Sequence, residues 1–129
     1  MKGLRSLAEE IFALAGAPEG AEVSVLMVES ESEMRALNRE WRGCDNPTNV
    51  LSFPTTDKEL LGDIVLCEPV IRREAREAGK SYEAHLAHML MHGMLHLLGL
   101  DHEDKADAAR MEKLEIKALG KLGIRNPYE

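Results

Sequence analysis

The period of the apolar positions changes several times along the chain, and each change marks an element. Leu4, Leu7, Ala8, Ile11 and Leu14 step by three and four, which predicts an amphipathic helix over about residues 2–15, ended by Gly16, Pro18 and Gly20. Glu22 to Val28 alternates and then runs apolar, as a half-buried to buried strand does. Ser30 ahead of Glu31 and Glu33 reads as a capped helix start, with Met34, Leu37 and Trp41 on the apolar face and Gly43 at the end. A turn-rich loop, Cys44 to Thr48, leads to a short strand from Asn49 to Phe53 that Pro54 stops. Thr55 to Leu61 is polar and reads as loop, and Asp63 to Cys67 as a buried strand. Pro69 suits the first turn of a helix covering Val70 to Ala78, and Gly79-Lys80-Ser81 precedes a helix over about residues 82–98. A last helix, roughly residues 103–121, carries Ala106, Ala109, Met111, Leu114, Ile116, Ala118 and Leu122 among many charges, before a tail from Arg125 to Glu129. Helices mixed with three or four strands give an α+β fold, a small mixed sheet packed on helices. No repeat or long linker divides the chain, so residues 1–129 are expected to form one domain.

Composition changes this picture in a few places. A chain of 129 residues, 44% hydrophobic, can bury a core without staples, so a metal ion would serve chemistry more than folding. The net charge of −7 makes it a poor generic polyanion binder, and 4% aromatic residues leave little for a base-stacking platform. Any nucleic-acid role must then rest on a local basic surface. Cys44 and Cys67 form no C-x-x-C pair, which points to a reduced, cytoplasmic setting. The first ten residues are too acidic for a secretory leader, and no apolar run is long enough to cross a membrane, so no membrane partner is expected.

The chemistry concentrates on the fourth predicted helix. His92 and His96, four residues apart, project from one face about 6 Å apart along the axis and can reach one small cation. Gly99 sits where the helix must end, and the chain can fold back to bring His102 to the same ion. The spacing H-x3-H-x2-G-x2-H is that of the metzincin peptidases, except that Gly93 stands where they carry the glutamate general base. Three nitrogens leave a fourth position open, the pattern of a catalytic zinc, and a water bound there would ionise near neutral pH. His85 and His88 share the stripe, within about 80° of arc, but lie one to two turns away and read as supporting, substrate-side or structural groups. Asp101 is placed to orient a ligand imidazole, or is a plain turn residue.

A second polar constellation runs from Asn38 to Pro54. Arg42, at a helix end beside a loop, is well placed to meet a phosphate, while Asp45, Thr48 and Asn49 are common turn residues. Together the two stretches resemble the YbeY family. His88-Met-Leu-Met-His92-Gly-Met-Leu-His96-Leu-Leu-Gly99-Leu-Asp101-His102 is similar to its metal signature almost residue for residue. Arg42 with Asp45, the run Pro47-Thr48-Asn49-Val-Leu-Ser-Phe53-Pro54, and Gly62-Asp63-Ile64 are similar to its other hallmark segments, with Asn49 where the family often has Asp. The resemblance implies a zincin-like fold around a central metal-binding helix, with one zinc ion per chain on His92, His96 and His102, and Arg42 facing the metal cleft. It implies a bacterial cytoplasmic, single-strand-specific endoribonuclease acting on precursor ribosomal RNA, in 3′-end maturation of the small-subunit RNA and in ribosome quality control. The small subunit or its proteins would then be partners.

Lacking a base at position 93, the chain is better suited to phosphodiester than to peptide cleavage. A phosphodiester needs less proton help when the ion and Arg42 neutralise charge at phosphorus. Catalytic roles are therefore expected for Arg42, His92 and His96. Arg35, Arg39 and Arg42 recur at helical spacing and could rim the cleft for RNA. Arg72, Arg73 and Arg76 read better as an ordinary solvated face. The competing readings are a ribosome-assembly factor whose metal only holds the fold and, disfavoured by Gly93, a metallopeptidase.

Overall fold

In the computed structural model, which describes residues 3–55, 60–100 and 105–128, the chain runs α1 (Leu4–Ala15), β1 (Glu22–Val28), α2 (Glu31–Arg42), β2 (Val50–Pro54), β3 (Leu60–Cys67), α3 (Glu68–Ala78), α4 (Tyr82–Leu97) and α5 (Lys105–Lys121). The strands form one mixed sheet in the order β1-β3-β2, with β1 parallel and β2 antiparallel to β3. The α+β expectation holds, with three strands among the described residues.

Register assigns each side chain to a face, because successive residues alternate across a sheet. Val25, Ile64 and Ser52 lie in one row and Met27, Leu66 and Val50 in the next, on the face that packs against α4. Leu51, Val65, Val28 and Cys67 occupy the other face and are covered by Met34 of α2 and Val70 of α3. Helix α4 has the sheet on one side and α1, α3 and α5 around the rest, and 11 of its 16 residues are buried. An all-round apolar helix is the kind that a core encloses.

Both ends of α4 are written locally. The Ser81 hydroxyl accepts from the Ala84 N–H at 3.0 Å, which satisfies one orphan donor of the first turn. At the other end Gly99 takes φ +102°, its N–H donating to His96 O at 3.0 Å and the Leu100 N–H to Leu95 O at 3.1 Å. This six-to-one and five-to-two pair of bonds is the Schellman closure that glycine makes without a Cβ penalty.

Three expectations need correction. Residues 60–62 belong to β3 rather than to the preceding loop, because Glu22 and Pro54 pair with Leu60 and Gly62 and draw them into the ladder. Pro54 ends β2 from within, tolerated because an edge strand has one unpaired side. In α5 the expected apolar residue Leu114 is 41% exposed, while Glu115 takes the inner face with Met111, Ala118 and Leu119.

Gly62 is where the sheet presses against the end of α4. A Cβ there would sit 2.4 Å from Phe53 O and 2.7 Å from Leu97 Cδ2. Since a backbone oxygen cannot yield as a side-chain tip does, Gly62→Ala should destabilise the fold by about 2 kcal/mol or more, read as a lowered denaturant midpoint at unchanged m-value.

Candidate functional site

Helix α4 turns its histidine stripe toward carboxylates and toward the second half of the stripe itself. His92 and His96 stand with their Nε2 atoms 3.2 Å apart and their rings at 79°. Two nitrogens each about 2.0–2.1 Å from one tetrahedral ion stand about 3.3 Å apart, so the spacing suits two ligands of one cation. An N–H···N bond satisfies the same spacing when no ion is bound.

What aims His92 is a carboxylate. Its Nδ1–H donates to Glu115 Oε1 at 2.8 Å, leaving Nε2 as the lone-pair nitrogen that faces His96. Glu115 is only 1% exposed, and Oε2 also accepts from His88 Nε2 at 3.3 Å and from the Tyr128 hydroxyl. Burial by itself would raise the Glu115 carboxyl, but the hydrogen bonds from His88, His92 and Tyr128 outweigh it and hold the group down at about 2. Burial, followed by the bond to Glu115, pushes the Tyr128 phenol up, so it stays a proton donor. His88 belongs to this support. Its Nδ1 is buried and has no partner among the described residues, as is the case for His85, so each ring carries its proton on the Nε2 that faces a carboxylate. For His85 that carboxylate is Glu74, 2.9 Å away, which also accepts from the Asn49 amide at 3.0 Å. Of the readings open for His85 and His88, their bonds to Glu74 and Glu115 favour a supporting or structural one.

Asp101 and His102, the expected orienting carboxylate and third ligand, lie outside the described residues. Among the described residues no cluster of three or more His, Cys, Asp and Glu is gathered to hold a metal. Glu115 orients His92 in the way considered for Asp101. In the sequence Glu115 looks like one of the many charges of α5. The signal was present in its register, since Met111, Glu115, Ala118 and Leu122 recur at helical steps on one face.

His92 and His96 open onto a cleft of about 740 Å³ along the edge strand β2, and Arg42, Thr48, Asn49 and Ser52 also line it. Arg42 therefore meets the two histidines across one cavity. The rest of the expected basic rim is otherwise engaged. Arg35 makes a two-pronged pair with Asp45 at 2.9 and 3.0 Å, and Arg39 reaches the same carboxylate at 3.7 Å. These bonds hold the loop between α2 and β2, helped by the Asn38 amide, which donates to Asn46 O at 2.8 Å. The Arg35 bonds keep the Asp45 carboxyl below its ordinary range. Arg72 pairs with Glu68 and lies over the Tyr82 ring, and Arg73 pairs with Glu31, so neither faces the cleft. The thiols of Cys44 and Cys67 are free, and burial pushes that of Cys67 up.

Gly93 has a packing reason. A Cβ at this position would meet Ile64 Cγ2 and Ser52 Oγ, each at 3.1 Å. Neither can easily withdraw, because Ile64 is fully buried and the Ser52 hydroxyl donates to Gly93 O at 3.2 Å. The position that carries the general base in metzincins is here the seat of the sheet. Gly93→Glu should cost at least about 2 kcal/mol and confer no peptide hydrolysis, as a melt and a peptide-cleavage assay would show.

The pH dependence of folding follows from Glu115. Its folded pKa of about 2 lies below the ordinary 4.5, so its stabilising contribution is complete above about pH 4.5 and is lost as the pH falls toward 2. In metal-free protein, Glu115→Gln should lower stability at neutral pH by about 1–3 kcal/mol. It should also flatten the acid limb relative to the parent, measured by denaturant unfolding at a series of pH values.

Comparison with known proteins bears on this arrangement. Residues 1–123 match the family model described as Endoribonuclease YbeY. The Endoribonuclease YbeY of Halorhodospira halophila is 50% identical over 129 residues, covering 94% of this chain and 82% of its own. That of Methylococcus capsulatus is 54% identical over 113 residues, covering 84% and 75%. The solution structure of TM1509 from Thermotoga maritima superposes with a TM-score of 0.62 at 32% identity, covering 92% of this chain and 83% of that one.

Proposed function

The chain belongs to the endoribonuclease YbeY family, and from that premise we propose that it cuts single-stranded ribosomal RNA at the cleft where Arg42 faces His92 and His96. The observation that carries the proposal is that one cavity joins the guanidinium to the imidazole pair. Membership in the family supports RNA hydrolysis, and the shared cleft supports this location for it.

His92 and His96, with His102 as the third ligand, are assigned to one divalent ion, zinc by its preference for three imidazoles and an open corner. Such an ion supplies Lewis acidity and positive charge beside the scissile phosphate. The remaining work falls to side chains. Arg42 offers a planar fork of donors to the non-bridging phosphate oxygens and neutralises the charge that grows on them as the phosphorus becomes five-coordinate. Glu115 keeps the His92 lone pair turned to the site, and Glu74 holds the Asn49 amide at the cleft wall. The bonds from Arg35 and Arg39 to Asp45 keep the cleft loop closed on α2. The crowding at Gly93 disfavours a helix-borne base there, which argues against peptidase chemistry and for an ester whose cleavage leans on charge neutralisation.

On this reading the fold is a zincin-like frame with the substrate laid along the edge strand. The setting is the bacterial cytoplasm, and the RNA is the precursor end of the small-subunit RNA, with ribosome quality control as the wider role. The described residues contain no helix long and apolar enough to cross a membrane.

The test is cleavage of an end-labelled single-stranded precursor fragment, with the same sequence as a duplex for comparison. The parent should cut the single strand. His92→Ala and His96→Ala should abolish cutting, Arg42→Ala should slow it by about 100-fold or more, and Arg42→Lys should restore only part, since an ammonium lacks the fork. Cutting that persists unchanged in all of these variants would overturn the assignment. Metal analysis of the parent should give about one zinc per chain, removable by a chelator without unfolding. Unfolding on removal, with no cleavage by loaded protein, would favour the assembly-factor reading instead.

A further inference from the structure

The last described residue of the chain reaches back into the site. We propose that Tyr128 is a positioning residue for His92, acting through Glu115, and that the carboxyl-terminal tail is the strap that holds it there. The proposal rests on the assignment of His92 as a metal ligand.

Glu115 touches the helix above it at two points. Oε1 takes the His92 proton at 2.8 Å, while Oε2 has the Tyr128 hydroxyl and, at 3.3 Å, His88. Bonds at both oxygens fix a carboxylate in its plane. With the phenol removed, Oε2 keeps only the longer bond from His88, and the carboxylate can pivot about Oε1. The pivot matters because the far nitrogen of the same imidazole must be aimed, together with that of His96, at one ion to within about 0.5 Å.

The rest of Tyr128 explains little as packing. The residue is 47% exposed, yet its hydroxyl is spent on a carboxylate that is 1% exposed. The tail's contacts deliver it, and the hydroxyl also stands 3.3 Å from His88 Nε2. Lys80 Nζ, in the turn between α3 and α4, donates to Pro127 O at 2.9 Å. The Tyr128 N–H donates to Asn126 Oδ1 at 2.8 Å, and the phenol ring meets the His88 ring edge to face at 5.4 Å. Tyr128 lies 36 positions beyond His92 in the chain, and the docked tail brings its phenol to the carboxylate that His92 also meets.

Tyr128→Phe removes the hydroxyl and keeps the ring against His88. Long-range proton–nitrogen spectra of the imidazoles in metal-free protein should show His92 with its proton on Nδ1 in the parent. In Tyr128→Phe a share of His92 should carry it on Nε2. Zinc affinity, measured by competition with a chromogenic chelator, should weaken by about 10- to 100-fold. Lys80→Met, which frees the tail but leaves the three-way contact chemically intact, should shift both readings in the same direction by less. It carries the test if the phenylalanine variant melts well below the parent. Parent-like tautomer and zinc affinity in Tyr128→Phe, alongside loss of zinc in His92→Ala, would overturn the positioning role and leave the site assignment standing. Undiminished zinc binding by His92→Ala would instead overturn the site assignment, and the proposal with it.

Discussion

A carboxylate buried to 1% exposure is costly unless donors surround it, and Glu115 is met from three directions by His88, His92 and Tyr128. That requirement ties three parts of the chain together. Helix α5 brings the carboxylate, α4 brings two imidazoles, and the tail brings a phenol. Removing one partner of such a buried charge typically costs about 3–5 kcal/mol, because the charge remains while its compensation does not. The interaction is therefore structural and, on the proposed assignment of His92, functional as well. The bonds that make Glu115 tolerable in the core are the same bonds that set which nitrogen of His92 faces the cleft.

The other constraint is closeness. Helix α4 lies so tightly on the sheet that a methyl group at Gly93 would crowd two side chains, and one at Gly62 would strike the backbone beside it. At Gly93 the contact is made by Ile64 and Ser52, at Gly62 by the backbone of β2 and by Leu97. A helix that approaches this closely brings His92 and His96 to the edge strand, and with it to the cleft wall formed by Thr48, Asn49 and Ser52. The same approach disfavours a general base on the helix. Packing and chemistry thus choose together: the close seat gives up proton transfer from position 93 and gains a cleft shared with Arg42.

The basic residues divide along similar lines. Arg35 and Arg39 spend their charge on Asp45 and hold the loop beside the cleft, whereas Arg42, one turn further on, lines the cavity itself. On the proposed assignment of Arg42, one guanidinium beside the scissile phosphate does more for so acidic a chain than a broad positive surface, because its effect is largest where charge develops.

Much of this could be read from the chain alone, because it is local. Two histidines at four-residue spacing on a helix, a serine cap before it and a glycine closure after it each need only neighbours a turn away, and all three stand where the spacing puts them. The strands from Glu22 and from Asn49 onward, and the proline-started α3, follow from period and turn chemistry in the same way. What the chain did not disclose depends on docking between distant segments. Glu115 looks like one more charge on a solvated helix until α5 packs on α4, and Tyr128 looks like a tail residue until Lys80 pins the tail. The three residues at the start of β3 read as loop by their polar neighbours, yet join the ladder because β1 and β2 pair with them. Local propensity can specify a helix and its caps, but which carboxylate meets which imidazole is decided only when the layers close on one another and the cost of a buried charge has to be met.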